Sequence, residues 1–253
     1  MGGGLWYAGL NRLLKWAVPL AFWLGVWQLA ALAVGRELLL PGPLAVGRRL
    51  AALAGRLDFW LSVGATLGRV FLGLLWGTLA GTALAFLTHF SAWAGRLISP
   101  AIRVVRATPV VSFILLVYLW VPRWAIPWVI AGLMVLPVVW GSLAAGLDSL
   151  DGRLLEFARA YRFSRAKTLR LIYLPALRPH FTAGLLTAFG LAWKSGVAAE
   201  VICPPARAIG SRIQQAKLGL ETPELFAWTL AIVALSLLLE GALRAALGRG
   251  DRL

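Results

Sequence analysis

Long apolar stretches are the feature that most constrains the fold of this chain. A helix needs about 20 mostly apolar residues to cross the hydrocarbon core of a bilayer, and six stretches approach or reach that length. The third is short, so we expect it to begin earlier, or to be tilted or broken near Pro109. The sequence therefore predicts an all-α polytopic membrane protein with about six transmembrane helices. The candidate spans are Trp16–Val34, Thr66–Leu87, Thr108–Trp120, Ile126–Leu147, Phe181–Val201 and Leu225–Leu243.

The composition agrees with a membrane protein. Hydrophobic residues make up 60% of the 253 residues and charged residues 14%, whereas soluble domains have roughly 45–50% and about 25%. No segment resembles a separate soluble domain. We therefore expect one transmembrane domain over residues 1–253.

The formal net charge is +15, and the distribution of the basic residues predicts how the chain is oriented in the membrane. If the N-terminus is cytoplasmic, 15 of the 25 Lys and Arg residues fall in cytoplasmic segments, eight fall outside, and Arg69 and Lys194 lie within spans. Cytoplasmic loops carry an excess of Lys and Arg, so both termini are predicted to be cytoplasmic. Because the basic residues lie in short loops between spans, nucleic acid is not an expected partner.

Residues for catalysis or metal binding are scarce. The only cysteine is Cys203, which excludes an internal disulfide framework and a thiolate cluster. His89 and His180 are far apart, and the sequence has no nucleophile elbow, metalloprotease helix or Walker loop. We predict no catalytic residue, no metal ligand and no enzymatic activity for this chain.

Two segments near the N-terminus leave alternatives open. Trp16–Val34 is longer than the roughly 7–15 residues of a signal-peptide core, so we interpret it as a retained helix. The loop Gly35–Ala65 is expected outside the cytoplasm and contains an amphipathic helix after Pro43. This helix either lies on the membrane surface or is a short packing helix.

Small residues recur at four-residue spacing in two of the spans. Such spacing lets helix backbones approach closely in lipid. The resulting seams either move around a pathway or pack statically. The two sets are Gly73, Gly77 and Gly81, and Gly184, Ala188 and Ala192.

A basic amphipathic segment, Leu154–Leu177, lies between two apolar spans. Its periodicity predicts two short helices, with a turn near Arg162–Ser164, an N-cap at Ser164 and a helix end at Pro175. We expect an apolar stripe to face the transmembrane bundle and an exposed tip to enter a groove on a partner. The stripe would comprise Leu154, Phe157, Ala158 and Tyr161 in the first helix and Leu169, Ile172 and Tyr173 in the second.

This segment resembles the signature of permease subunits in binding-protein-dependent ABC importers. The family pattern has Glu-Ala-Ala, a glycine four positions after the second alanine, and a closing Ile/Val-x-Leu-Pro. Phe157 replaces the first alanine and Arg162 replaces the glycine, so the turn either avoids the left-handed region or accepts about 1–2 kcal/mol of strain. The positions that match are Glu156, Ala158, Ser164, Ile172, Leu174 and Pro175.

The resemblance covers about residues 38–239 and points to the nitrate, sulfonate and taurine branch of the family. Segments similar to that branch are Leu38–Val46, Ser62–Leu87, Ala192–Ile202 and Glu221–Val233. The implied fold is that of a type I ABC importer permease, with a cytoplasmic coupling hairpin at 150–177.

The resemblance also implies partners. Two permease copies, expected to be a homodimer, would form the pathway in the bacterial inner membrane and contact its lipid. Separate ATP-binding cassette subunits would bind ATP and Mg²⁺ and dock on the hairpins, and an extracytoplasmic binding protein would deliver substrate. This chain would hold no cofactor itself. The implied coupling residues are Glu156, Ala158, Arg162, Ser164, Arg165 and Pro175.

Charged residues within spans are further candidates, because they are costly in lipid and usually face a cavity or a counter-charge. Lys194 could attract an anionic substrate, or it could pair with Glu200; we place both residues on the possible pathway. Arg69 is interpreted as an interfacial anchor. A secondary transporter or channel is the alternative function, and a membrane-embedded enzyme is a weaker one.

Overall fold

The computed structural model describes the backbone of residues 3–249 and the side chains of residues 17–247. The described residues form helices and no strands, which confirms the predicted all-α fold. Five helical segments are long and apolar enough to cross a membrane, or six if a bent pair counts as one span. The α-helices are α1 Gly3–Val34, α2 Pro43–Ala54, α3 Leu57–Phe90, α4 Ala92–Ala107, α5 Val110–Val117, α6 Ile126–Asp148, α7 Gly152–Ala160, α8 Arg165–Thr168, α9 Leu174–Ile202, α10 Ile209–Leu218 and α11 Thr222–Arg249.

The short third span is broken, which is one of the alternatives that the sequence leaves open. Helices α4 and α5 meet at a bend of 105°. Thr108, between them, has an extended backbone with φ −80° and ψ 129°. A proline disfavours helical geometry in the residue before it and has no N–H to continue the helix. Pro109 therefore accounts for the position of the break.

The second span begins earlier than expected. Helix α3 starts at Leu57, not at Thr66, so the loop predicted over Gly35–Ala65 contains α2 and the first turns of α3. Asp58 lies in the first turn of α3, where a negative charge favours a helix start. A hydropathy pattern marks the apolar part of a helix, and it misses this more polar beginning.

The helix predicted to end at Pro175 continues to Ile202. Helix α8, a π-helical segment at Leu169–Tyr173 and α9 form one apolar helical segment of 38 residues, Arg165–Ile202. The N–H of Leu174 bonds to the carbonyl of Leu169, five residues back. In a π turn the regular ladder is already interrupted. The missing N–H of Pro175 is tolerated there because it falls at this interruption.

The described residues divide into two compact units. The first comprises the residues up to Phe59 together with Arg212–Ala231. The second comprises Trp60–Ser211 and the described residues from Ile232 onward. The single domain over residues 1–253 stays a prediction.

In the first unit, α2 is held by hydrogen bonds. Arg49 donates to Glu221 at 2.8 Å and, from Nε, to Glu224 at 3.0 Å. The hydrogen bond to Glu224 is the main cause that raises the pKa of Arg49. Val46 and Leu53 of α2 are buried. These contacts favour the packing-helix alternative for α2 over a helix that only lies on the lipid surface.

In the second unit, both small-residue seams pack against α6. A Cβ atom on Gly77 would lie 2.6 Å from the carbonyl oxygen of Gly132, so the backbones of α3 and α6 touch there. On α9, a Cβ atom on Gly184 would lie 2.7 Å from Cβ of Ser142, and Ala188 and Ala192 are fully buried. The predicted close approach is therefore confirmed for both seams.

Candidate functional site

The turn of the predicted hairpin has a defined backbone geometry. Arg162 has a φ of +49°. The N–H of Phe163 bonds to the carbonyl of Ala158 at 2.8 Å, and the N–H of Arg162 bonds to that of Arg159 at 3.0 Å. These two bonds define a Schellman motif, in which the left-handed position is usually glycine. Arg162 therefore adopts the conformation of the family glycine and accepts its strain.

The second arm of the hairpin begins at the predicted cap. The hydroxyl of Ser164 accepts a hydrogen bond from the N–H of Lys167 at 3.3 Å, and its own backbone is extended, with φ −63° and ψ 157°. The ammonium of Lys167 lies 4.0 Å from the ring centroid of Phe163. The turn is thus stabilised by local contacts of the hairpin itself.

The apolar stripe predicted on α7 does not face the bundle. Ala158 is 3% exposed, but Leu154, Phe157 and Tyr161 are 48%, 51% and 67% exposed. The rings of Phe157 and Tyr161 lie 4.4 Å apart, centroid to centroid. Helix α7 therefore buries one small side chain and presents two aromatic rings on its surface, which corrects the prediction for this face.

The second arm of the hairpin, from Arg165 onward, buries only part of its predicted apolar stripe. Ile172 is 8% exposed and Tyr173 is partly buried, as predicted, while Leu169 is exposed. A cavity of about 210 Å³ between the arms is lined by Ala158, Phe163 and Tyr173, together with Leu155, Arg159 and Thr168.

The predicted coupling residues thus lie at three places. Glu156, Arg162, Ser164 and Arg165 are exposed on the hairpin surface. Ala158 is buried beneath it. Pro175 lies beyond the π-helical segment, where it lines a different cavity with Phe86 and Leu143.

A buried polar cluster surrounds Glu200, near the end of α9. The Glu200 carboxylate is fully buried. It accepts hydrogen bonds from the hydroxyl of Thr66 at 2.8 Å, the guanidinium of Arg69 at 3.0 Å and the N–H of Gly210 at 3.3 Å. Neighbouring donors thus bond to both carboxylate oxygens, and the place of Glu200 on the pathway stays a prediction.

The same cluster fixes the loop that follows α9. Arg69 also donates to the carbonyl of Arg207 at 2.8 Å, and the hydroxyl of Thr66 accepts from the N–H of Ile209 at 3.0 Å. A Cβ atom on Gly210 would lie 2.7 Å from the backbone N of Val201, so only glycine fits beside α9 at this position. The loop between α9 and α10 is therefore bonded to α3 through side chains.

The structure bears on two charged residues of the spans, Arg69 and Lys194. Arg69 is an ion-pair partner of Glu200, a contact that the interpretation as an interfacial anchor did not include. Lys194 is exposed and does not pair with Glu200, because six residues along a helix turn the side chain by about 120°. Residue type and hydropathy gave no signal for the Arg69–Glu200 pair, which depends on how α3 and α9 pack.

Groups that could hold a metal ion are absent from the part of the chain that the structure describes. Cys203 is buried. Burial raises the pKa of its thiol, which favours the protonated form.

The long apolar helices, with one broken span, define a multi-pass membrane protein. Residues 73–247 match the family described as binding-protein-dependent transport system inner membrane component. This chain belongs to that family, so it is a permease subunit of an ABC importer in the inner membrane.

Relatives include the taurine transport system permease protein TauC of Escherichia coli, which is 29% identical over 90% of this chain and 84% of its own length. The nitrate import permease protein NrtB of Synechococcus elongatus is 27% identical, over 76% of this chain and 73% of its own length. A crystal structure of a bacterial ABC transporter involved in the import of the acidic polysaccharide alginate has the same fold, with a TM-score of 0.66. At 16% identity, it covers 97% of this chain and 98% of the solved one.

Proposed function

We propose that this chain forms the pathway of an ATP-driven importer for a small anion and couples to separate ATPase subunits through the hairpin at 150–177. The observation that carries the coupling is the exposed surface of α7. Phe157 and Tyr161 present two neighbouring rings there, tilted by 37° to each other, and Glu156 is exposed on the same short helix. Large exposed aromatic side chains next to a charge are typical of interaction sites.

The second arm supports the same role mechanically. Residues Arg165–Ile202 form one helical segment, so the hairpin tip is joined without a loop to a helix that crosses the membrane. A displacement of the tip would be transmitted along that helix as a rigid-body movement. The ATP and Mg²⁺ would be held by the partner ATPase.

The rest of the assembly follows from the family. The proposed complex has two copies of this chain, two ATPase subunits and an extracytoplasmic binding protein. The charge count supports a cytoplasmic location for both termini and the hairpin. Relatives named for taurine, sulfonates and nitrate support a small oxyanion as the substrate class.

Charge reversal of Glu156 tests the coupling. We expect Glu156→Lys, and separately Tyr161→Ala, to reduce co-purification of the ATPase in detergent and ATP-dependent uptake at least fivefold. Glu37→Lys is the matched control, since Glu37 is also exposed but lies outside the hairpin. Ala158→Asp is a poorer test, because Ala158 is buried and a charge there would disturb the hairpin itself.

Two results would contradict the proposal. If Glu156→Lys and Tyr161→Ala both leave ATPase binding and uptake at the level of Glu37→Lys, the hairpin is not the coupling element. Uptake that persists without any ATPase would favour a secondary transporter or channel.

A further inference from the structure

A cavity of about 620 Å³ lies beside the break between α4 and α5. Its walls come from both sides of the break and from the middle of α6 and α9. This volume is in the range of small-molecule sites. Its lining residues are Val105, Arg106, Thr108, Val110, Met134, Pro137, Val138, Gly141, Ser142, Thr187 and Leu191.

The cavity lies beside the middle of α6, a helix that is long and apolar enough to cross a membrane. Pro137 is the central residue of α6, and the lining residues of that helix run from Met134 to Ser142. At 1.5 Å per residue, all of them lie within about 8 Å of the helix midpoint. The hydrocarbon core extends about 15 Å on each side of its centre.

Arg106, an exposed side chain at the rim of the cavity, brings a positive charge to this level of α6. A Cβ atom on Gly141 would lie 3.8 Å from Nη1 of Arg106, which places the guanidinium about 6 Å along α6 from its midpoint. Among the residues that the structure describes, none forms an ion pair with Arg106. A charged side chain at such depth is costly unless it faces water or a partner, so it marks a site by default.

The hydroxyl groups that line the cavity donate their hydrogen bonds to backbone carbonyls, so they are not free to donate to a ligand. Thr108 donates to the carbonyl of Val104, Ser142 to that of His180 and Thr187 to that of Ala183. Their oxygen atoms keep lone pairs for a donor. Among the lining side chains, Arg106 therefore remains the hydrogen-bond donor for an anion.

We propose that this cavity binds the sulfonate group of a small organic sulfonate during passage, with Arg106 as its anchor. A guanidinium binds two oxygens of an oxyanion at once. The apolar side chains of Val110, Val138 and Leu191 suit a short alkyl tail, and the hydroxyl oxygens suit an ammonium on that tail. The proposal rests on the transport function proposed above and names the substrate class of that pathway.

The test uses the full chain, purified with its ATPase and binding protein and reconstituted in proteoliposomes. Uptake of taurine, ethanesulfonate and nitrate is measured in parallel. We expect Arg106→Gln to reduce uptake of taurine and ethanesulfonate at least tenfold, and Arg106→Lys to reduce it severalfold, because lysine keeps the charge but loses the two-point contact. Arg103→Gln is the control, since Arg103 lies one turn earlier in α4 and does not line the cavity.

A second pair of variants reports on the cavity without changing charge. Gly141→Leu places an isobutyl group against Arg106 and should block uptake, whereas Gly141→Ala fits at an ordinary contact distance and should not. Elution as a monodisperse peak with the ATPase bound shows that each variant folds.

The site is refuted if Arg106→Gln takes up both sulfonates like the unmodified protein, if Arg103→Gln loses as much, or if the unmodified protein takes up only nitrate or none of the three. Uptake without a bound ATPase would refute the proposed function instead. Retained ATPase binding in Arg106→Gln separates the two failures.

Discussion

Among single residues, Arg162 carries a backbone conformation that its side chain disfavours. With φ +49° it occupies the glycine position of a Schellman motif. We expect Arg162→Gly to stabilise the hairpin by about 1 kcal/mol, because glycine adopts this region without the Cβ penalty. Slower amide hydrogen exchange of residues 154–163 would show it. Arg159→Gly, within α7, should have the opposite effect by about the same amount.

Glu200 is a residue whose removal should cost stability. Glu200→Ala removes the acceptor shared by Thr66, Arg69 and the N–H of Gly210, for an expected loss of about 1–3 kcal/mol. Glu200→Gln keeps an acceptor for Thr66 and Gly210 and should lose less. Thermal unfolding in detergent measures both. Glu240→Ala is the control, since Glu240 forms an exposed i,i+4 pair with Arg244 that contributes about 0.3–0.5 kcal/mol.

A loss of the same size for Glu200→Ala and Glu240→Ala would show that the buried pair adds nothing to stability. The sequence could not have identified this pair. Arg69 and Glu200 are 131 positions apart, and their encounter depends on the packing of two helices. Hydropathy shows only that each charge is unusual for a span.

Among the elements, the seam between α3 and α6 depends on glycine. We expect Gly77→Ala to destabilise the protein by about 1–3 kcal/mol, because its Cβ would overlap the backbone of Gly132. Gly68→Ala on the same helix meets no atom within 4 Å, so it should be neutral or slightly stabilising. Unfolding midpoints in detergent compare the two. Equal midpoints would mean that the seam is looser than its geometry indicates.

The elements also show where sequence patterns lose information. Four-residue spacing correctly predicted the close approach at Gly77 and Gly184, because only small residues permit it. The spacing of Leu154, Phe157 and Tyr161 correctly predicted a shared face. The prediction that this face packs against the bundle was wrong, because periodicity shows which residues share a face but not whether that face is buried. At Pro175 the helix continued because a π turn precedes the proline.

At the scale of the whole molecule, hydropathy was enough to predict the fold. Six candidate stretches correspond to five long segments and one broken one. The family followed from ordered motifs spread over most of the chain. The cavity beside Arg106 could not be predicted, since α4, α5, α6 and α9 build it together. Arg106 falls between two predicted spans in the sequence, and the structure places its guanidinium beside Gly141 of α6.

The bend between α4 and α5 also bears on whether the chain crosses the membrane an even or an odd number of times. Helix α5 has eight residues and a length of about 12 Å, less than half the hydrocarbon thickness. If the α4–α5 pair crosses, the described spans number six, and the two ends of the protein face the same compartment. The break that Pro109 introduces therefore lies in the span on which this even number depends.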